Sequence, residues 1–430
     1  MKKDVIQVAL LGLGTVGTGV YKVMRLQKPE MQKKLNTELN IKKILVRNLD
    51  KARKKVEDDS VLTARWQEII EDDSIDIVIE VMGGLEPAGT YIRQALEAGK
   101  NVVTANKDLI AVRGGELLNI AAEHHVDLMF EASVAGGIPI IEPLKNSLAA
   151  NHITEIMGIV NGTTNFILSK MTEEGMDFKE ALAIATELGY AEADPTADVE
   201  GLDAGRKMAI MASIAFHSRV TFPENVYTEG ITKITAKDIS YAKEMGCVVK
   251  LVGVAKDTAE GVEVRVHPML IPMTHPLATV SGSFNAVFVH GDAVDDVMFY
   301  GRGAGEMPTA SAVMGDVFET ASHVINDETG FNHCGCYKQL PVKKIEDIES
   351  RYFVRMEVDD KPGVLATVAS VLGNNSVSIE QVVQKEHSGD TAEIVVITNQ
   401  VRERHLNDAL LTFKDMSTVK AIPSMIRVYG

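Results

Sequence analysis

The first third of the chain alternates short apolar runs with longer stretches of helical periodicity. The apolar runs lie at 5–11, 41–46, 75–81, 101–104 and 127–131, and they are typical of buried strands. Strands that alternate with helices predict an α/β, Rossmann-type sheet of parallel strands. We therefore expect a dinucleotide-binding domain over residues 1–135.

After about residue 140 the pattern changes. A strand at 153–160 precedes helical periodicity over 164–216, and strands at 247–256, 262–271, 284–290 and 296–300 then follow one another closely. Such spacing predicts an antiparallel or mixed sheet backed by helices, an α+β substrate and dimerisation domain over 136–304. The helical segment 308–325 is expected to return to the first domain, which residues 305–335 would complete.

The end of the chain has a third pattern. A polar linker is predicted over 336–350, and residues 351–430 then give strand, helix, two strands, helix and strand, at 352–358, 362–372, 376–384, 393–398, 402–413 and 422–428. This βαββαβ order predicts a ferredoxin-like fold.

The composition of the chain limits the classes of molecule that it is expected to bind. The net charge of −16 argues against nucleic acid or an anionic membrane as a binding partner. Three cysteines form no disulfide framework, and the chain has no uninterrupted apolar stretch of membrane-spanning length. We expect a cytoplasmic protein that binds small molecules.

Three glycines in G-x-G-x-x-G spacing follow the first predicted strand directly. Glycine lets backbone N–H groups approach a pyrophosphate at a helix N-terminus, so the spacing predicts a dinucleotide site, with an unliganded tight turn as the alternative. The residues of this predicted contact are Gly12, Gly14, Thr15, Val16 and Gly17.

The end of the second strand bears on the choice of cofactor. NAD binders usually place an acidic residue there, whereas this chain has Arg47, whose guanidinium suits the 2′-phosphate of NADP. Asp50 keeps NAD possible, and Lys51 and Lys55 are interpreted as solvated. Further along, Lys107 follows the strand at 101–104, at the sheet edge where ligands bind, so it is a candidate for cofactor or substrate contact.

Residues 189–207 carry five carboxylates and then Arg206 and Lys207. This arrangement fits a solvated helix entry, and it equally fits a site that binds an ammonium group and positions a lysine for proton transfer. Asp203 and Lys207 are four residues apart, so on a helix they share a face.

The spacing A-x3-G-Y-x3-D-P-x2-D-x2-G-x-D-x3-K, from Ala185 to Lys207, resembles the signature of the homoserine dehydrogenases. GLGTVG, TANK, EASVAGGIPII, NGTTN and GRGAGEMPTA occur in that family's order. The resemblance implies a monofunctional, NADP-preferring enzyme that interconverts L-homoserine and L-aspartate 4-semialdehyde in threonine and methionine biosynthesis. A related amino-acid dehydrogenase and a non-catalytic amino-acid sensor are the alternatives.

The resemblance also implies roles for individual residues. Lys207 would be the acid/base group, Glu192 would hold the substrate's α-ammonium group, and Asp198, Asp203 and Lys107 would orient substrate and lysine. Gly305 would lie near the cofactor, and capping by Thr163 or Thr164 competes with substrate contact. A structural sodium ion would be held by Glu131 and the carbonyls of Val134, Gly136 and Ile138.

The segment DKPGVLA, at 360–366, followed by SIEQV resembles the opening of an ACT domain. The resemblance implies an effector pocket at 360–365, with Asn374 and Asn375 nearby, and threonine as effector. A dimerisation domain without ligand is the alternative, and a homodimer or homotetramer is expected. His333, Cys334 and Cys336 are too closely spaced for a usual zinc site, and local packing is the favoured interpretation.

Overall fold

The computed structural model describes residues 3–330, 335–388 and 390–430, so His333 and Cys334 lie outside the described residues. The chain divides into two compact units. Unit 1 comprises Met1–Ile156, Arg206–Val226 and Phe284–Leu340, and unit 2 comprises Met157–Gly205, Tyr227–Ser283 and Pro341–Gly430.

Unit 1 contains a parallel six-stranded sheet. Its strands are β1 (Val5–Leu11), β2 (Glu38–Leu45), β3 (Leu62–Thr63), β4 (Ile75–Glu80), β5 (Asn101–Thr104) and β6 (Leu128–Met129), in the order β3-β2-β1-β4-β5-β6. The helices between them are α1 (Thr15–Leu26), α2 (Lys28–Leu35), α3 (Leu49–Arg53), α4 (Gln67–Ile70), α5 (Ala88–Glu97) and α6 (Lys107–Glu123). The predicted Rossmann-type sheet is confirmed. Strand order reverses at β1, which places the ligand crevice at its carboxyl end.

The next part of the chain is mainly helical and then forms a hairpin. Its elements are β7 (Ile153–Ile159), α7 (Gly162–Glu174), α8 (Phe178–Glu187), α9 (Thr196–Val199), α10 (Leu202–Ala215), β8 (Tyr227–Thr228), α11 (Ala236–Glu244), β9 (Cys247–Thr258) and β10 (Gly261–Pro272). β9 and β10 are antiparallel and β8 runs parallel to β10, so the predicted mixed sheet is confirmed.

A second hairpin and a long helix follow, all in unit 1. They are β11 (Phe284–Gly291), β12 (Asp295–Arg302) and α12 (Glu306–Asn326). Buried residues of α12 recur with helical spacing at Ala310, Val313 and Val317, and they share one apolar core with Ile6 and Val8 of β1. Helix α12 therefore packs onto the parallel sheet.

The C-terminal part of unit 2 has the predicted ferredoxin-like fold. Its elements are β13 (Glu349–Asp359), α13 (Val364–Asn374), β14 (Ile379–Ser388), β15 (Thr391–Thr398), β16 (Val401–Arg402), α14 (Glu403–Lys414) and β17 (Val419–Val428). The four long strands have the order β17-β13-β15-β14 and are antiparallel. Tyr352, Val368, Val396 and Phe413 are among the core residues that join strands to helices.

The ferredoxin-like sheet continues into the hairpin of β9 and β10. β17 pairs with β10 in parallel, with Met269 opposite Arg427 and Leu270 opposite Val428. The backbone N–H of Tyr429 extends this pairing by donating to the Leu270 carbonyl at 2.9 Å. The sheet order within unit 2 is therefore β9-β10-β17-β13-β15-β14, which the sequence did not predict.

Candidate active site

The three glycines form the turn between β1 and α1, and each has a different steric environment. Gly12 has φ +103°, a conformation that favours glycine. A Cβ on Gly17 would lie 2.1 Å from the Gly12 carbonyl oxygen, so packing requires glycine there. A Cβ on Gly14 would have no heavy atom of the described protein within 4 Å. Packing therefore leaves open space in front of Gly14, directly before the first turn of α1, where a pyrophosphate fits.

Basic side chains lie beside this turn. The Gly12 N–H donates to the Leu45 carbonyl at 3.0 Å, which places the end of β2, and exposed Arg47 two residues beyond, next to the glycines. Asp50 pairs with Arg53 at 2.9 Å within α3, on the helix surface. The Lys55 ammonium donates to the Leu13 carbonyl at 2.8 Å. Lys55 is exposed, in line with its interpretation as a solvated residue, and its ammonium is also held at the glycine turn.

Two candidate lysines lie beside one ion pair in unit 1. Lys107 is the first residue of α6, which Asn106 caps by accepting from the Leu109 N–H at 3.1 Å. Lys207 lies in α10 and is 8% exposed. The next residue after Lys107 is Asp108, and it pairs with Arg206, the residue before Lys207, at 2.7 Å. The start of α6 is thus tied to the part of α10 that carries Lys207.

Asn161 brings two of the predicted carboxylates together in unit 2. Its Nδ2 donates to Asp198 Oδ1 at 2.7 Å and to Asp203 Oδ2 at 2.9 Å, and Asp203 is buried. Its Oδ1 accepts from the Thr164 N–H at 2.9 Å, which caps α7. The expectation that Thr163 or Thr164 caps this helix was therefore wrong, since a cap needs a side-chain oxygen at the N-cap position, which Asn161 holds.

Glu192 is exposed in the loop between α8 and α9. This loop is anchored because the Thr163 hydroxyl donates to the Tyr190 carbonyl at 2.7 Å. Nearby, Asp194 accepts from the Thr196 N–H at 3.1 Å, and hydrogen bonds from the Thr196 side chain and backbone lower the Asp194 pKa. Asp194 thus holds the backbone just before α9, while the Glu192 side chain is exposed.

Glu131 is buried beside a sharp turn of unit 1. Its two carboxylate oxygens accept from the N–H groups of Ile140, Ile141 and Glu142 at 2.6 to 2.8 Å. Burial raises its pKa, while these three bonds oppose the shift. These three N–H donors fix the direction of the carboxylate within the turn.

Two further features of the described residues limit the chemistry. No group of three or more His, Cys, Asp and Glu side chains among them could hold a metal ion. A cavity of about 230 Å³ is lined by residues that follow Lys107 on α6 and Lys207 on α10, among them Gly114 and Ile210, and by His217. None of the predicted site residues lines it.

A Rossmann-type sheet with an open glycine turn, and a buried lysine that follows buried Asp203 on one helix, define a nicotinamide-dependent dehydrogenase. The chain matches the family descriptions "Homoserine dehydrogenase, NAD binding domain" over residues 12–131, "Homoserine dehydrogenase" over 139–318 and "ACT domain" over 352–415. It belongs to the homoserine dehydrogenase family and is an oxidoreductase acting on a CH–OH group, as the resemblance predicted.

Named relatives and one solved structure match this chain over nearly its full length, and a second solved structure matches about three quarters of it. The homoserine dehydrogenase of Bacillus subtilis is 44% identical over 427 residues, 99% of this chain and 98% of the relative. That of Synechocystis is 46% identical over 432 residues, 98% and 99% of the two chains. The crystal structure of a homoserine dehydrogenase from Thiobacillus denitrificans has TM-score 0.95 and 41% identity, covering 100% and 99%. A hyperthermophilic archaeal homoserine dehydrogenase in complex with NADPH has TM-score 0.63 and 28% identity, covering 74% and 97%.

Proposed function

We propose that this chain interconverts L-aspartate 4-semialdehyde and L-homoserine with Lys207 as the proton-transfer residue. The observation that carries this assignment is the buried position of Lys207 in α10, one turn after buried Asp203 and next to the Arg206–Asp108 ion pair. A lysine held away from solvent in this way has a fixed direction for its ammonium group.

The proton moves between Lys207 Nζ and the substrate oxygen. In the reduction, the Lys207 ammonium donates a proton to the aldehyde oxygen, and in the oxidation the neutral amine accepts the hydroxyl proton. A bound nicotinamide cofactor would supply the hydride in one direction and accept it in the other. Lys107, at the start of α6, holds the polar end of the substrate or the cofactor beside this group.

Carboxylates hold the substrate's ammonium group. Glu192 is exposed on an anchored loop, so its carboxylate is available to a ligand. Asp198 and Asp203 share the Asn161 amide as donor, which fixes their directions. An amino-acid substrate is therefore favoured over a simple hydroxy acid.

NADP is the proposed cofactor. Arg47 and the Lys55 ammonium lie on the side of the glycine turn where the adenosine ribose ends, and both suit a 2′-phosphate. Thr15 and Val16 open α1 with their N–H groups directed at the pyrophosphate. Gly305, with φ +122°, precedes α12 and offers a second helix start to the cofactor.

A structural sodium ion is proposed at the turn 131–138. Ala135 and Gly136 have φ values of +53° and +56°, so the chain reverses sharply there. The Gly303 carbonyl also lies against Gly136, where an added Cβ would meet it at 2.4 Å. Hard cations accept such carbonyl ligands. The proposed ligands are Glu131 and the carbonyl oxygens of Val134, Gly136 and Ile138.

Threonine is the proposed effector of the ACT domain. A cavity of about 360 Å³ is lined by residues 358–365 with Gln384 and Ile394, in line with the predicted segment 360–365. Asn374 and Asn375 lie at the far end of α13 and are not among its lining residues, so their place near the effector stays a prediction. Helix α13 is 11 residues long, which separates its two ends.

The proposed assembly is a homodimer or homotetramer. On β12, Met298 and Tyr300 are 40% and 53% exposed, and β12 pairs only with β11 in its sheet among the described strands. An exposed edge with large apolar side chains favours contact with a second copy. A cytoplasmic location is proposed because Cys247 and Cys336 are free thiols. The functional domains proposed are 1–135 with 305–335, 136–304 and 351–430.

The decisive test is an assay with homoserine and each cofactor for the wild type and Lys207→Ala. We expect the variant to lose a factor of roughly 10² to 10⁴ in kcat while still binding NADPH. Lys179→Ala, at an exposed position of α8, is the control and should retain wild-type kcat. Homoserine oxidation by Lys207→Ala within threefold of wild type would remove Lys207 from the mechanism.

A further inference from the structure

Buried Arg427 on strand β17 of the ACT domain binds a segment that packs against the turn between α9 and α10. Arg427 is 1% exposed, and its guanidinium binds two carboxylates. It donates from Nε and Nη2 to Glu403 at 3.0 and 2.6 Å, and from Nη1 to Glu229 Oε2 at 2.7 Å. Tyr227 also donates to Glu229 from its hydroxyl at 3.1 Å. Glu229 is therefore fixed by a residue of the regulatory domain.

The segment that begins with Glu229 packs along the turn between α9 and α10. Ile231 N–H donates to the Val199 carbonyl at 2.8 Å, and the Thr232 hydroxyl donates to Glu200 at 3.2 Å. A Cβ on Gly230 would lie 2.1 Å from the same Val199 carbonyl. Contact this close allows the segment and the turn to move only together.

The turn at 199–201 separates the two carboxylates that Asn161 holds. Asp198 immediately precedes Val199, and Asp203 follows two residues after Gly201. A shift of the turn would change the directions of both carboxylates relative to the single Nδ2 donor that they share. The connection thus runs from Arg427 through its ion pair to Glu229, along the chain to Ile231, through the Ile231 N–H to the Val199 carbonyl, and along the chain to Asp198.

We propose that Arg427 and Glu229 are positioning residues for homoserine binding, so that the C-terminal strand of the ACT domain is a working part of the substrate site. This inference rests on the proposed function. It also connects the proposed effector cavity to this site. Asp359 lines that cavity and pairs at 2.8 Å with Lys420, at the end of β17 opposite Arg427. β17 then joins the effector loop to the substrate turn.

The chain offers a matched control in Arg355. This arginine of β13 is also buried, at 4% exposure, and also binds two carboxylates, Asp238 at 2.8 Å and Glu393 at 3.0 Å. Its partners lie on α11 and β15, away from the segment 229–232. Arg355→Gln therefore removes an equivalent buried ion pair between the ACT domain and the rest of unit 2 without touching the turn at 199–201.

The test compares KM and kcat of full-length Arg427→Gln, Glu229→Gln and Arg355→Gln, with unfolding temperatures measured in parallel. We expect KM for homoserine to rise about tenfold in Arg427→Gln and Glu229→Gln, with KM for NADP⁺ unchanged. Arg355→Gln should lose comparable stability and keep its KM for homoserine within twofold. A double variant of Arg427 and Glu229 should be no worse than the worse single variant.

Three outcomes oppose the proposal. One is a KM for homoserine at the wild-type value in both Arg427→Gln and Glu229→Gln. Another is an equal rise in Arg355→Gln, which would mean that general destabilisation is responsible. The third is an additive double variant. If Arg427→Gln fails to fold, Glu229→Gln decides alone, since Glu229 is 25% exposed and the amide keeps its shape. A wild-type protein without homoserine oxidation would instead overturn the proposed function itself.

Discussion

Arg206 Nε lies 2.7 Å from Asp108 Oδ1, and this ion pair joins the residue before Lys207 to the residue after Lys107. The guanidinium also stacks over the Phe222 ring at 5.0 Å, which restricts its movement. The pair links two helices, α6 and α10, that come from parts of the sequence about a hundred residues apart. The ion pair is partly exposed, so it contributes more to the orientation of the two helices than to the stability of the fold.

We expect Asp108→Asn to lower kcat/KM for homoserine about tenfold, because the two lysine-bearing helices lose their common tether. The free energy of unfolding should fall by less than about 1 kcal/mol. Steady-state kinetics and chemical denaturation test both values. The control is Arg93→Ala, which removes an exposed ion pair between α5 and Glu116 of α6. Wild-type kinetics in Asp108→Asn would leave the pair without a catalytic role.

Gly14 and Gly17 should respond differently to alanine. Gly17→Ala places a Cβ 2.1 Å from the Gly12 carbonyl, and we expect it to cost roughly 2 kcal/mol or more of stability. Gly14→Ala meets no described atom within 4 Å, so the unfolding temperature of the apoprotein should stay unchanged while KM for NADP⁺ rises about tenfold. Calorimetry without cofactor, paired with kinetics, separates the two. Equal destabilisation by both substitutions would contradict the assignment of the open space to the pyrophosphate.

Arg47→Ala and Lys55→Ala should each reduce the ratio of kcat/KM for NADP⁺ to that for NAD⁺ by about tenfold, since each removes a cation proposed for the 2′-phosphate. Activity with NAD⁺ should remain close to wild type. Lys51→Ala is the control, because Lys51 is exposed on α3 and only its N–H is used, in a cap to Asn48. A ratio that stays constant in Lys55→Ala would restrict the phosphate site to Arg47.

Asn161 caps α7 and also donates to two carboxylates, and two substitutions separate these roles. Asn161→Asp keeps an oxygen that can cap α7, so stability should be largely retained, but it adds a third negative charge beside Asp198 and Asp203. Asn161→Ala loses the cap, at a cost of about 1 kcal/mol, and the shared donor. We expect KM for homoserine to rise about tenfold in Asn161→Ala and further in Asn161→Asp. A normal KM in Asn161→Asp would show that the two carboxylates do not need this donor.

Burial lowers the pKa of Lys250 to about 8. Its ammonium is 3% exposed and donates to the Val280 carbonyl at 2.6 Å and to Asn165 Oδ1 at 3.1 Å. Below pH 8 Lys250 is protonated in both the folded and the unfolded chain, so the free-energy cost of burying its charge is fully present. As pH rises toward the unfolded pKa near 10.4, the folded chain releases its proton first and the cost is relieved.

Stability of the wild type relative to Lys250→Met should therefore rise with pH. We expect the difference in unfolding free energy to grow by roughly 2 kcal/mol between pH 7.5 and pH 10. Urea denaturation of both proteins across this range measures it, and the subtraction removes the titration of all other groups that the two share. A difference that is flat or that shrinks with pH would contradict the lowered pKa.

Regular elements could be predicted where the apolar pattern was continuous. The strand at 5–11 matches β1 because VIQVALL is buried along most of its length, and the ACT strands β13 and β15 likewise contain long buried runs. β3 was missed because two residues carry no periodicity. The glycine turn was also found from sequence, since steric needs fix both the residue type and the spacing.

Contacts between distant residues could not be predicted in this way. Lys55 and Leu13 are 42 residues apart, and only the fold decides that a lysine after α3 reaches a carbonyl after β1. Arg427 in the run MIRVYG reads as an outward-facing strand residue, because its partners are 24 and 198 residues away. The Asn161 cap was missed because the backbone at the end of β7, rather than residue preference, decides which oxygen reaches Thr164.

Because β10 pairs with β17 in parallel, the ACT domain is a poor candidate for transfer to another protein as a separate unit. Excised alone, residues 351–430 would present the bare backbone of β17 to solvent, an open edge that invites aggregation. The rest of the protein would likewise expose the edge of β10 that pairs with β17. Swapping regulatory modules between homologous enzymes should therefore succeed only when the recipient hairpin and the incoming strand are exchanged as one block.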